Sequence, residues 1–371
     1  MKIAFVIATF PPAVGGMGQV AWNEALALGR LGHTVEVFTL DYNFKLPGNN
    51  FKVNYLSPLI RLGDAGFAPQ LFWKLRGFDL VHLHFPFYGG GFMVVLASLF
   101  YRTPYVVTYH MDAQPKGIIK NIIKFFSDFL VSALILKKAK KVILVDQNTQ
   151  QFSLLKKIDS NNLVKINNAV DTEIFSKKIV SFSELGLPDL AGKNILLFVG
   201  NLLPVKRLDL ILQALYKLSD PNLVLVVVGG GYAQVEYQAL VKKLSLENQV
   251  HFVQFIKDAN ILAKYYSLAQ VTAIPSDYES FSLVALESLA CGTPVIASNL
   301  SAFSNKIFSG VNGLFFEKGN SADLSNKIKD FFSYSKERRE QLGLNGRAEV
   351  IKKFSMEKHL EDLVKVYQSV V

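Results

Sequence analysis

The sequence predicts an α/β protein built from two doubly wound parallel sheets. Short β-branched runs alternate with longer amphipathic stretches along most of the chain, which is typical of βαβ units. The pattern loosens over residues 173–193 and then restarts with a second series of similar size, and 371 residues exceed the length at which one core usually keeps growing. Because ligands of such sheets bind at the carboxyl ends of the strands, we expect the site in a cleft between two facing domains.

The domain limits follow from where this pattern stops and restarts. We predict a first domain over residues 1–172, a linker over 173–193, a second domain over 194–355, and an amphipathic helix over 356–371 that packs back on the first domain. The predicted strands are Ile3 to Ala8, Thr34 to Thr39, Leu80 to His84, Tyr105 to Tyr109, Val142 to Val145, Ile195 to Val199, Leu223 to Val228, His251 to Val253, Val271 to Pro275 and Val295 to Ser298. The segment Asp41 to Gln70 shows no readable pattern.

Composition restricts the class of partner and the location. Lys and Arg outnumber Asp and Glu by 40 to 30, a net charge of +10 that favours phosphorylated ligands, anionic headgroups or nucleic acid. The basic residues form no recognised nucleic-acid-reading module, which disfavours nucleic acid. The single Cys291 excludes an internal disulfide, and no apolar run is long enough for a signal segment or a membrane span, so a cytoplasmic location is expected.

Two carboxylates flank a predicted helix start in the second domain. Phe281 to Leu289 carries apolar residues at helical spacing, with Ser280 and Ser282 as candidate N-caps, so Glu279 precedes the helix and Glu287 lies two turns inside it. The unpaired amides and the positive end of the helix dipole are suited to a diphosphate, and the carboxylates can accept hydrogen bonds from sugar and ribose hydroxyls. Alternatively, this is a surface helix with two solvated glutamates.

A glycine-rich loop follows the first predicted strand. Gly15, Gly16 and Gly18 precede the helical pattern Val20 to Leu31, so the backbone there can approach a ligand closely and point its amides at it. The dinucleotide fingerprint G-x-G-x-x-G is absent, so nicotinamide binding has little support. A plain tight turn explains the glycines equally well.

At these residues the chain resembles the retaining glycosyltransferases of family 4, whose fold of two facing Rossmann-like domains is called GT-B. The segment Pro275 to Ala297 is similar to the family's donor-binding signature, and the resemblance covers nearly the whole chain. Supporting matches are Gly15 to Gly18, Thr108 to Asp112, Asn168 to Asp171, Val199 with Gly200, Lys206, Val228 to Gly231 and Gly310 to Leu314. The resemblance implies an acceptor-binding first domain and a donor-binding second domain.

The resemblance also implies residue roles. Lys206 would meet the diphosphate as a point charge, Glu279 would bind the donor sugar, and His110 would contact that sugar near its anomeric carbon. The donor-binding set it implies comprises Gly15, Gly16, Gly18, Gly200, Asn201, Arg207, Gly229, Gly230, Ser280, Phe281, Ser282, Leu283, Val284 and Glu287. Glu287 would hold the ribose and the amides of 281–284 the diphosphate. Taken without the resemblance, Lys206 reads as a solvated lysine, and His110, His82 and His84 read as structural histidines.

The chain departs from the family pattern at three places. Asn201 stands where most members have an arginine that clasps the diphosphate, and Arg207 stands where they have glycine. Either Arg207 substitutes for the missing cation or the donor site is weakened. Ser280 and Ser282 also replace glycines, at a cost on the order of 1 kcal/mol wherever φ must be positive. Asn305 replaces an acidic residue, so the nucleotide or sugar preference can differ.

We therefore predict a metal-independent, retaining hexosyltransferase that uses a nucleotide diphosphate sugar and needs no bound cofactor. Its acceptor would be a glycan or a lipid-linked molecule in cell-envelope synthesis. Residues 115–141 combine Lys116, Lys120 and Lys124 on one helical face with a broad apolar face, which indicates peripheral attachment to the inner face of the cytoplasmic membrane or an ordinary packed helix. The alternatives are a nucleotide-sugar 2-epimerase on the same fold and a nucleotide-sugar-binding protein with weakened catalysis.

Overall fold

The computed structural model describes residues 1–11, 15–42, 51–62, 65–111, 131–145, 154–188 and 190–371. The chain divides into two compact units, Met1–Asn168 with Met356–Val371, and Ala169–Ser355. Residues 173–193, which the sequence predicted to be a linker, belong to the second unit. They do so because Phe175, Leu187 and Leu190 are buried in its hydrophobic core.

Both units are built from parallel strands connected by helices. The strands are β1 (Lys2–Val6), β2 (Thr34–Leu40), β3 (Lys52–Leu56), β4 (Ile60–Leu62), β5 (Ala65–Phe67), β6 (Leu80–Phe85), β7 (Tyr105–Tyr109), β8 (Lys141–Leu144), β9 (Leu163–Lys165), β10 (Asn194–Val199), β11 (Leu223–Val228), β12 (Val250–Val253), β13 (Val271–Ile274), β14 (Val295–Ser298) and β15 (Gly313–Phe316). The helices are α1 (Gly16–Arg30), α2 (Gln70–Lys74), α3 (Tyr88–Tyr101), α4 (Ala133–Lys138), α5 (Leu208–Leu218), α6 (Gln234–Lys243), α7 (Ala259–Leu268), α8 (Leu283–Ala290), α9 (Ser321–Ser333), α10 (Lys336–Phe354) and α11 (Met356–Gln368).

The first unit contains a seven-stranded sheet in the order β3-β2-β1-β6-β7-β8-β9, and every pairing in it is parallel. Strands β4 and β5 form a separate antiparallel pair. Apolar side chains are buried on both faces of the large sheet. On one face, α11 buries Leu360, Leu363 and Tyr367 in the same cluster as Ala25 and Leu28 of α1. This burial is why the last helix belongs to the first unit.

The second unit contains a six-stranded parallel sheet in the order β12-β11-β10-β13-β14-β15. Two hydrophobic clusters cover its two faces. The strand order reverses between β10 and β13, which is the position where doubly wound sheets bind their ligands. The predicted fold class, two doubly wound α/β halves, is confirmed.

The ten predicted strands agree with the structure to within two residues at each end. The strands of the two large sheets that the sequence did not predict are β3, β9 and β15, and each lies at a sheet edge. The residues of β3 and β9 are mostly only partly buried and carry a weaker apolar pattern, whereas β15 is a short strand with three of its four residues buried. In the described part of the chain we find no helix with the length and apolar character that crossing a bilayer requires.

Candidate active site

In the second unit, the loops after β10 and β13 meet because these two strands are neighbours in the sheet. The first loop runs from Gly200 to a short 3-10 turn at Pro204–Lys206, and the second runs from Pro275 to Ser282. Both loops leave the carboxyl ends of parallel strands, which lie at the same edge of a sheet. The topology therefore joins two segments that are far apart in sequence.

Lys206 and Glu279 form an ion pair at this junction. The Lys206 ammonium lies 2.7 Å from Glu279 Oε1, and the Ser276 hydroxyl donates to the same carboxylate oxygen at 2.7 Å. The side chains of Lys206 and Glu279 are 26% and 11% exposed, so the pair is held by the protein but remains open to a ligand. Two residues that the sequence singled out separately are thus in direct contact.

Arg207 follows Lys206 but is bonded to two carboxylates. Its Nη2 and Nε donate to Asp209 at 2.9 and 3.1 Å, and its Nη1 donates to Asp277 at 3.2 Å. The Asp209 carboxylate, with Asp277 beside it, holds the pKa of Arg207 above its already high ordinary value. To replace the missing family cation, Arg207 would have to leave both partners.

The helix between the two glutamates begins later than predicted, at Leu283 rather than Phe281. Glu287 is its fifth residue and therefore lies little more than one turn inside it, not two. Ser282 occupies the N-cap position with φ 68°, but its side chain does not cap the helix, and its buried hydroxyl has no partner among the described residues. The predicted serine cap is wrong, and no side chain of the described residues caps the first amides of α8.

Phe281, just before α8, is backed by a buried lysine. Lys306 is fully buried, and its ammonium lies 3.8 Å from the centroid of the Phe281 ring. The same ammonium donates to the carbonyl of Ala302 at 2.8 Å and to Asn305 Oδ1 at 2.9 Å. These contacts fix the Phe281 ring just before the start of the helix. Asn305, which stands where the family has an acidic residue, is therefore bonded to Lys306.

Glu287 is bonded to a buried tyrosine. The Tyr266 hydroxyl donates to Glu287 Oε2 at 2.8 Å. Burial raises the pKa of Glu287 to about 7, although the Tyr266 hydrogen bond acts in the opposite direction. Near neutral pH, the carboxyl group is therefore poised between its acidic and ionised forms.

The glycines of the second unit have a packing role. A Cβ on Gly229, whose φ is 142°, would lie 2.0 Å from the carbonyl oxygen of Gly200, so the loops after β10 and β11 can approach only without a side chain. The Leu202 amide donates to the carbonyl of Gly230 at 2.9 Å, and the Leu203 amide donates to the carbonyl of Asn201 at 2.8 Å. Loop packing therefore accounts for Gly229, whereas at Gly200 a Cβ would make only ordinary contacts and the φ of 154° is what favours glycine.

In the first unit, the predicted glycine loop is already part of a helix. Helix α1 begins at Gly16, four residues before the predicted start at Val20, and Gly15 is its N-cap without a side-chain cap. A Cβ on Gly18 would lie 2.9 Å from the carbonyl oxygen of Thr9, so the helix packs closely on the end of the β1 loop. Gly15 and Gly16 have no such contact with any residue that the structure describes.

His110 follows β7 and is buried against a second histidine. Its Nε2 lies 3.0 Å from His84 Nδ1, and the two rings are stacked. Burial lowers the pKa of His110 to about 3, and the residue is only 4% exposed. His82 is bonded to Thr108 and Tyr367 at 2.6 Å each, which agrees with the structural interpretation of that histidine.

Comparison with known proteins decides the family. The family model described as Glycosyl transferases group 1 matches residues 187–349, and the model described as Glycosyltransferase Family 4 matches residues 14–174. An uncharacterized glycosyltransferase of Methanocaldococcus jannaschii is 30% identical over 298 residues, which are 79% of this chain and 76% of that protein. The chain belongs to glycosyltransferase family 4. A D-inositol 3-phosphate glycosyltransferase of Streptosporangium roseum is 29% identical over 357 residues, or 85% of this chain and 80% of that one.

Solved structures show that the glycosyltransferase has the GT-B fold. The sucrose-phosphate synthase of Thermosynechococcus elongatus matches with a TM-score of 0.84 at 24% identity over 100% of this chain and 98% of that one. The Anabaena protein HepE in complex with UDP matches with a TM-score of 0.82 at 19% identity, with both chains fully covered. At these identities the comparison establishes the fold alone.

The glycosyltransferase has one buried group of potential metal ligands within the described ranges. Glu24, His82 and His84 each offer a ligand atom, and these atoms lie within 4.8 Å of one another. Both ring nitrogens of His82 are already hydrogen-bonded, so this residue is not available as a ligand without losing Thr108 or Tyr367. We assign no metal to this cluster, and the absence of a metal cofactor stays a prediction.

Several residues of the site escaped sequence reasoning. The Ser276 hydroxyl donates to Glu279, and the Tyr266 hydroxyl donates to Glu287. The Lys306 ammonium packs against the Phe281 ring, and Asp277 accepts a hydrogen bond from Arg207. Only Ser276 and Asp277 had a signal, because they lie inside the donor-like segment. Tyr266 lies on α7, whose sequence pattern gives no hint that its hydroxyl reaches Glu287.

Proposed function

We propose that this glycosyltransferase moves a hexosyl group from a nucleotide diphosphate sugar to an acceptor hydroxyl, with retention of the anomeric configuration and without a protein-bound metal. The observation that carries the proposal is the Lys206–Glu279 pair beside the start of α8, a helix end that has no side-chain cap among the described residues. A cation, free amides and a carboxylate are together the groups that a diphosphate joined to a sugar requires.

The donor would bind in the second unit. The diphosphate would lie against the amides at the start of α8 and the Lys206 ammonium, while Glu279 would accept from the sugar hydroxyls and Glu287 from the ribose. The structural relatives support a nucleotide donor: HepE was solved in complex with UDP and with UDP-glucose, and starch synthase IV of Arabidopsis thaliana with ADP and acarbose. The base and the sugar are left to experiment.

The proposed chemistry needs charge stabilisation more than a covalent nucleophile. The acceptor hydroxyl would attack from the side of the departing nucleoside diphosphate, and the resulting negative charge would be met by Lys206 and the helix dipole. Because these fixed groups already supply positive potential, we propose that no divalent cation is needed for turnover.

A donor screen followed by a product assay tests this function. Thermal shift with UDP, GDP and ADP sugars selects the donor, because a ligand of the folded form raises the melting temperature. The product from an acceptor mixture is then analysed by NMR for its anomeric configuration, with and without EDTA. An inverted product or a strict need for metal contradicts the corresponding part of the proposal. Binding without transfer would indicate a weakened enzyme, and a change at C2 of the sugar would indicate an epimerase.

We further propose that the acceptor is a glycan or a lipid-linked molecule of the cell envelope, reached at an anionic membrane surface. Most of the lysine-rich helix predicted over residues 115–141 lies outside the described residues.

An aromatic patch on α2 and α3 supports the proposal: Trp73, Leu99 and Phe100 are 66, 62 and 72% exposed, and the Phe72 ring lies 5.5 Å from that of Phe100. Exposed Lys74, Arg76 and Arg102 flank the aromatic patch. Aromatic and basic side chains together suit an anionic bilayer interface.

Tryptophan emission and vesicle sedimentation test the membrane proposal. The chain has two tryptophans, and Trp22 packs against Phe10 and Phe51, so a blue shift on adding phosphatidylglycerol vesicles would come from Trp73. The shift should be absent with phosphatidylcholine vesicles, and Phe100→Ser should weaken sedimentation. Leu344→Ser removes another exposed apolar side chain, which lies in the second unit, and should have no effect. Equal binding of all three proteins, or none by the wild type, contradicts the proposal.

A further inference from the structure

Arg207 joins two segments of the second unit that are far apart in the sequence. Its Nε and Nη2 donate to Asp209, at the start of α5, at 3.1 and 2.9 Å. Its Nη1 donates to both oxygens of Asp277, in the loop after β13, at 3.2 Å each. All three guanidinium nitrogens are therefore bonded to carboxylates. The contact across the two loops is named the Arg207–Asp277 bridge below.

The backbone of Arg207 adopts a conformation that favours glycine. Its φ is 52° and its ψ is 42°, in the left-handed region, which accounts for the glycine that the family has at this position. An arginine is strained there, and such strain is found where the surrounding structure holds the residue in place, often at a functional site. The bonds to Asp209 and Asp277 supply that support.

The bridge lies beside the Lys206–Glu279 ion pair. Arg207 directly follows Lys206 in the sequence, and Asp277 lies two residues before Glu279. In addition, the Asp277 amide donates to the carbonyl of Val205 at 2.9 Å. Three links therefore join the same two loops within a few residues: the backbone bond, the bridge and the ion pair.

The bound donor would compete for one of these links more easily than for the others. A diphosphate would have to displace one described carboxylate, Glu279, from Lys206, but two carboxylates from Arg207. The Ser276 hydroxyl, which donates to the same Glu279 oxygen as the ammonium, would still satisfy that oxygen after displacement. The bridge and the backbone bond are then the links that keep the two loops together in the complex.

We propose that Arg207 and Asp277 are positioning residues, whose bridge keeps the Lys206 ammonium beside the departing diphosphate after the donor has displaced Glu279. The inference rests on the proposed function, in which Lys206 acts on the leaving group. A misplacement of about 1 Å is enough to slow a reaction by up to about 100-fold. The amides at the start of α8 would still bind the diphosphate, so loss of the bridge should affect kcat more than donor affinity.

Substitution of Asp277 separates this role from direct binding of the donor by Arg207. Asp277→Ala removes the bridge but keeps the guanidinium, so an arginine that bound the diphosphate itself would work as well or better. We expect instead that Asp277→Ala and Arg207→Ala each lower kcat about tenfold in steady-state kinetics. Lys264→Ala breaks the ion pair with Glu184, a similarly exposed cation in the same unit, and should leave kcat unchanged. An Asp277→Ala enzyme with wild-type or higher kcat would overturn the proposal.

Double variants test whether the bridge acts through Lys206. The two ends of one bridge should not add, so the variant with both Arg207→Ala and Asp277→Ala should match the single variants. In the Lys206→Ala enzyme, Arg207→Ala should cause no further loss of kcat, because the group that the bridge positions is already absent. A further tenfold loss in that enzyme would refute the positioning of Lys206.

Amide hydrogen exchange, followed by NMR, tests the bridge without an activity assay. The Lys206 amide donates to the carbonyl of Leu203 and the Asp277 amide to that of Val205, each at 2.9 Å. Both amides should exchange about tenfold faster in Arg207→Ala and at the wild-type rate in Lys264→Ala, with thermal unfolding as a check of the fold. Unchanged exchange in Arg207→Ala would overturn the proposal. Faster exchange in a protein without transferase activity would refute the proposed function alone.

Discussion

Lys206 and Glu279 are 73 residues apart in the sequence, yet the ammonium of one lies 2.7 Å from the carboxylate of the other. In the absence of ligand, each neutralises the other. A diphosphate would compete with Glu279 for the ammonium, and the displaced carboxylate would become available to sugar hydroxyls. In the proposed function, the ion pair would therefore link the groups that meet the two ends of the donor and would hold Lys206 beside the departing diphosphate.

Removing the ammonium of Lys206 should impair the chemical step more than it impairs folding. We expect Lys206→Ala to lower kcat by about 100- to 1000-fold, as for the loss of one preorganised group that stabilises developing charge. Steady-state kinetics with the selected donor measures the effect. Lys217→Ala removes an exposed lysine of α5 and should retain full activity. A Lys206→Ala enzyme with near wild-type kcat would exclude the proposed role.

Arg207 should contribute little to donor binding, because Asp209 and Asp277 already occupy its guanidinium. We expect Arg207→Ala to change the affinity for the nucleoside diphosphate by less than about threefold, since partly exposed ion pairs contribute under about 1 kcal/mol. Isothermal calorimetry measures this affinity. A loss as large as that in Lys206→Ala would instead show that Arg207 leaves its partners and replaces the cation missing at Asn201.

The affinity for nucleotides should depend on pH through Glu287. Its pKa of about 7 lies above the ordinary 4.5, and ribose hydroxyls donate better to an ionised carboxylate. Binding should therefore weaken as pH falls through 7, by up to about tenfold per pH unit. The stability linkage has the opposite sign: a raised pKa favours folding most below pH 4.5, and this contribution is lost as pH rises through about 7.

The variant Glu287→Gln separates this effect from ionisation of the phosphates, which is common to both proteins. At pH 8, the variant should bind the nucleotide more weakly than the wild type does. Apart from the contribution of the phosphates, the affinity of the variant should be nearly independent of pH. Calorimetric titrations of both proteins at pH 6, 7 and 8 give the difference. Parallel pH curves for the two proteins would show that Glu287 does not touch the nucleotide.

Ser282 should be a source of strain. Its φ of 68° is unfavourable for a residue with a side chain, and its buried hydroxyl gains no hydrogen bond among the described residues. We expect Ser282→Gly to raise the free energy of unfolding by about 1 kcal/mol. Ser280→Gly, two residues away at a position without positive φ, should not stabilise the protein. Urea denaturation of both variants tests the difference, and equal effects would contradict it.

The buried histidines of the first unit should make the protein sensitive to acid. Burial lowers the pKa values of His82, His84 and His110 below the ordinary 6.5, so their contribution to stability is present above pH 6.5 and lost as pH falls. Each should reduce the free energy of unfolding by about 1.4 kcal/mol per pH unit in that range. His359, whose pKa is raised, acts in the opposite direction and only above pH 6.5.

Urea denaturation between pH 6.5 and 5 measures this slope. Glu287, whose pKa is raised from 4.5 to about 7, opposes the histidines over this whole range, so the wild-type slope is compared with that of His110→Asn. That variant should show a slope smaller by about 1.4 kcal/mol per pH unit. An unchanged slope would mean that His110 is protonated in the folded protein or open to solvent.

Sequence reasoning recovered the central strands because their buried β-branched residues leave a strong pattern. It missed β3 and β9, whose residues are mostly only partly buried, and the short strand β15, which is largely buried but has only four residues. It also placed two helix starts wrongly, at Phe281 and at Val20, because glycine and serine near a helix end are equally compatible with loop and helix. The prediction of a linker over residues 173–193 was wrong. Phe175 and Leu187 are buried there, but apolar residues are few in this mostly polar segment, so no pattern indicated their burial.

The sequence alone determined the two α/β halves, the family, and the identity of the candidate groups, because strand patterns and the donor-like segment are local in the chain. The tertiary structure decided which of these groups touch. Strand order at the junction of β10 and β13 joined Lys206 to Glu279, and the return of α11 to the first unit joined His359 to Glu24. Such contacts depend on which strands and helices become neighbours, and no local pattern encodes that choice.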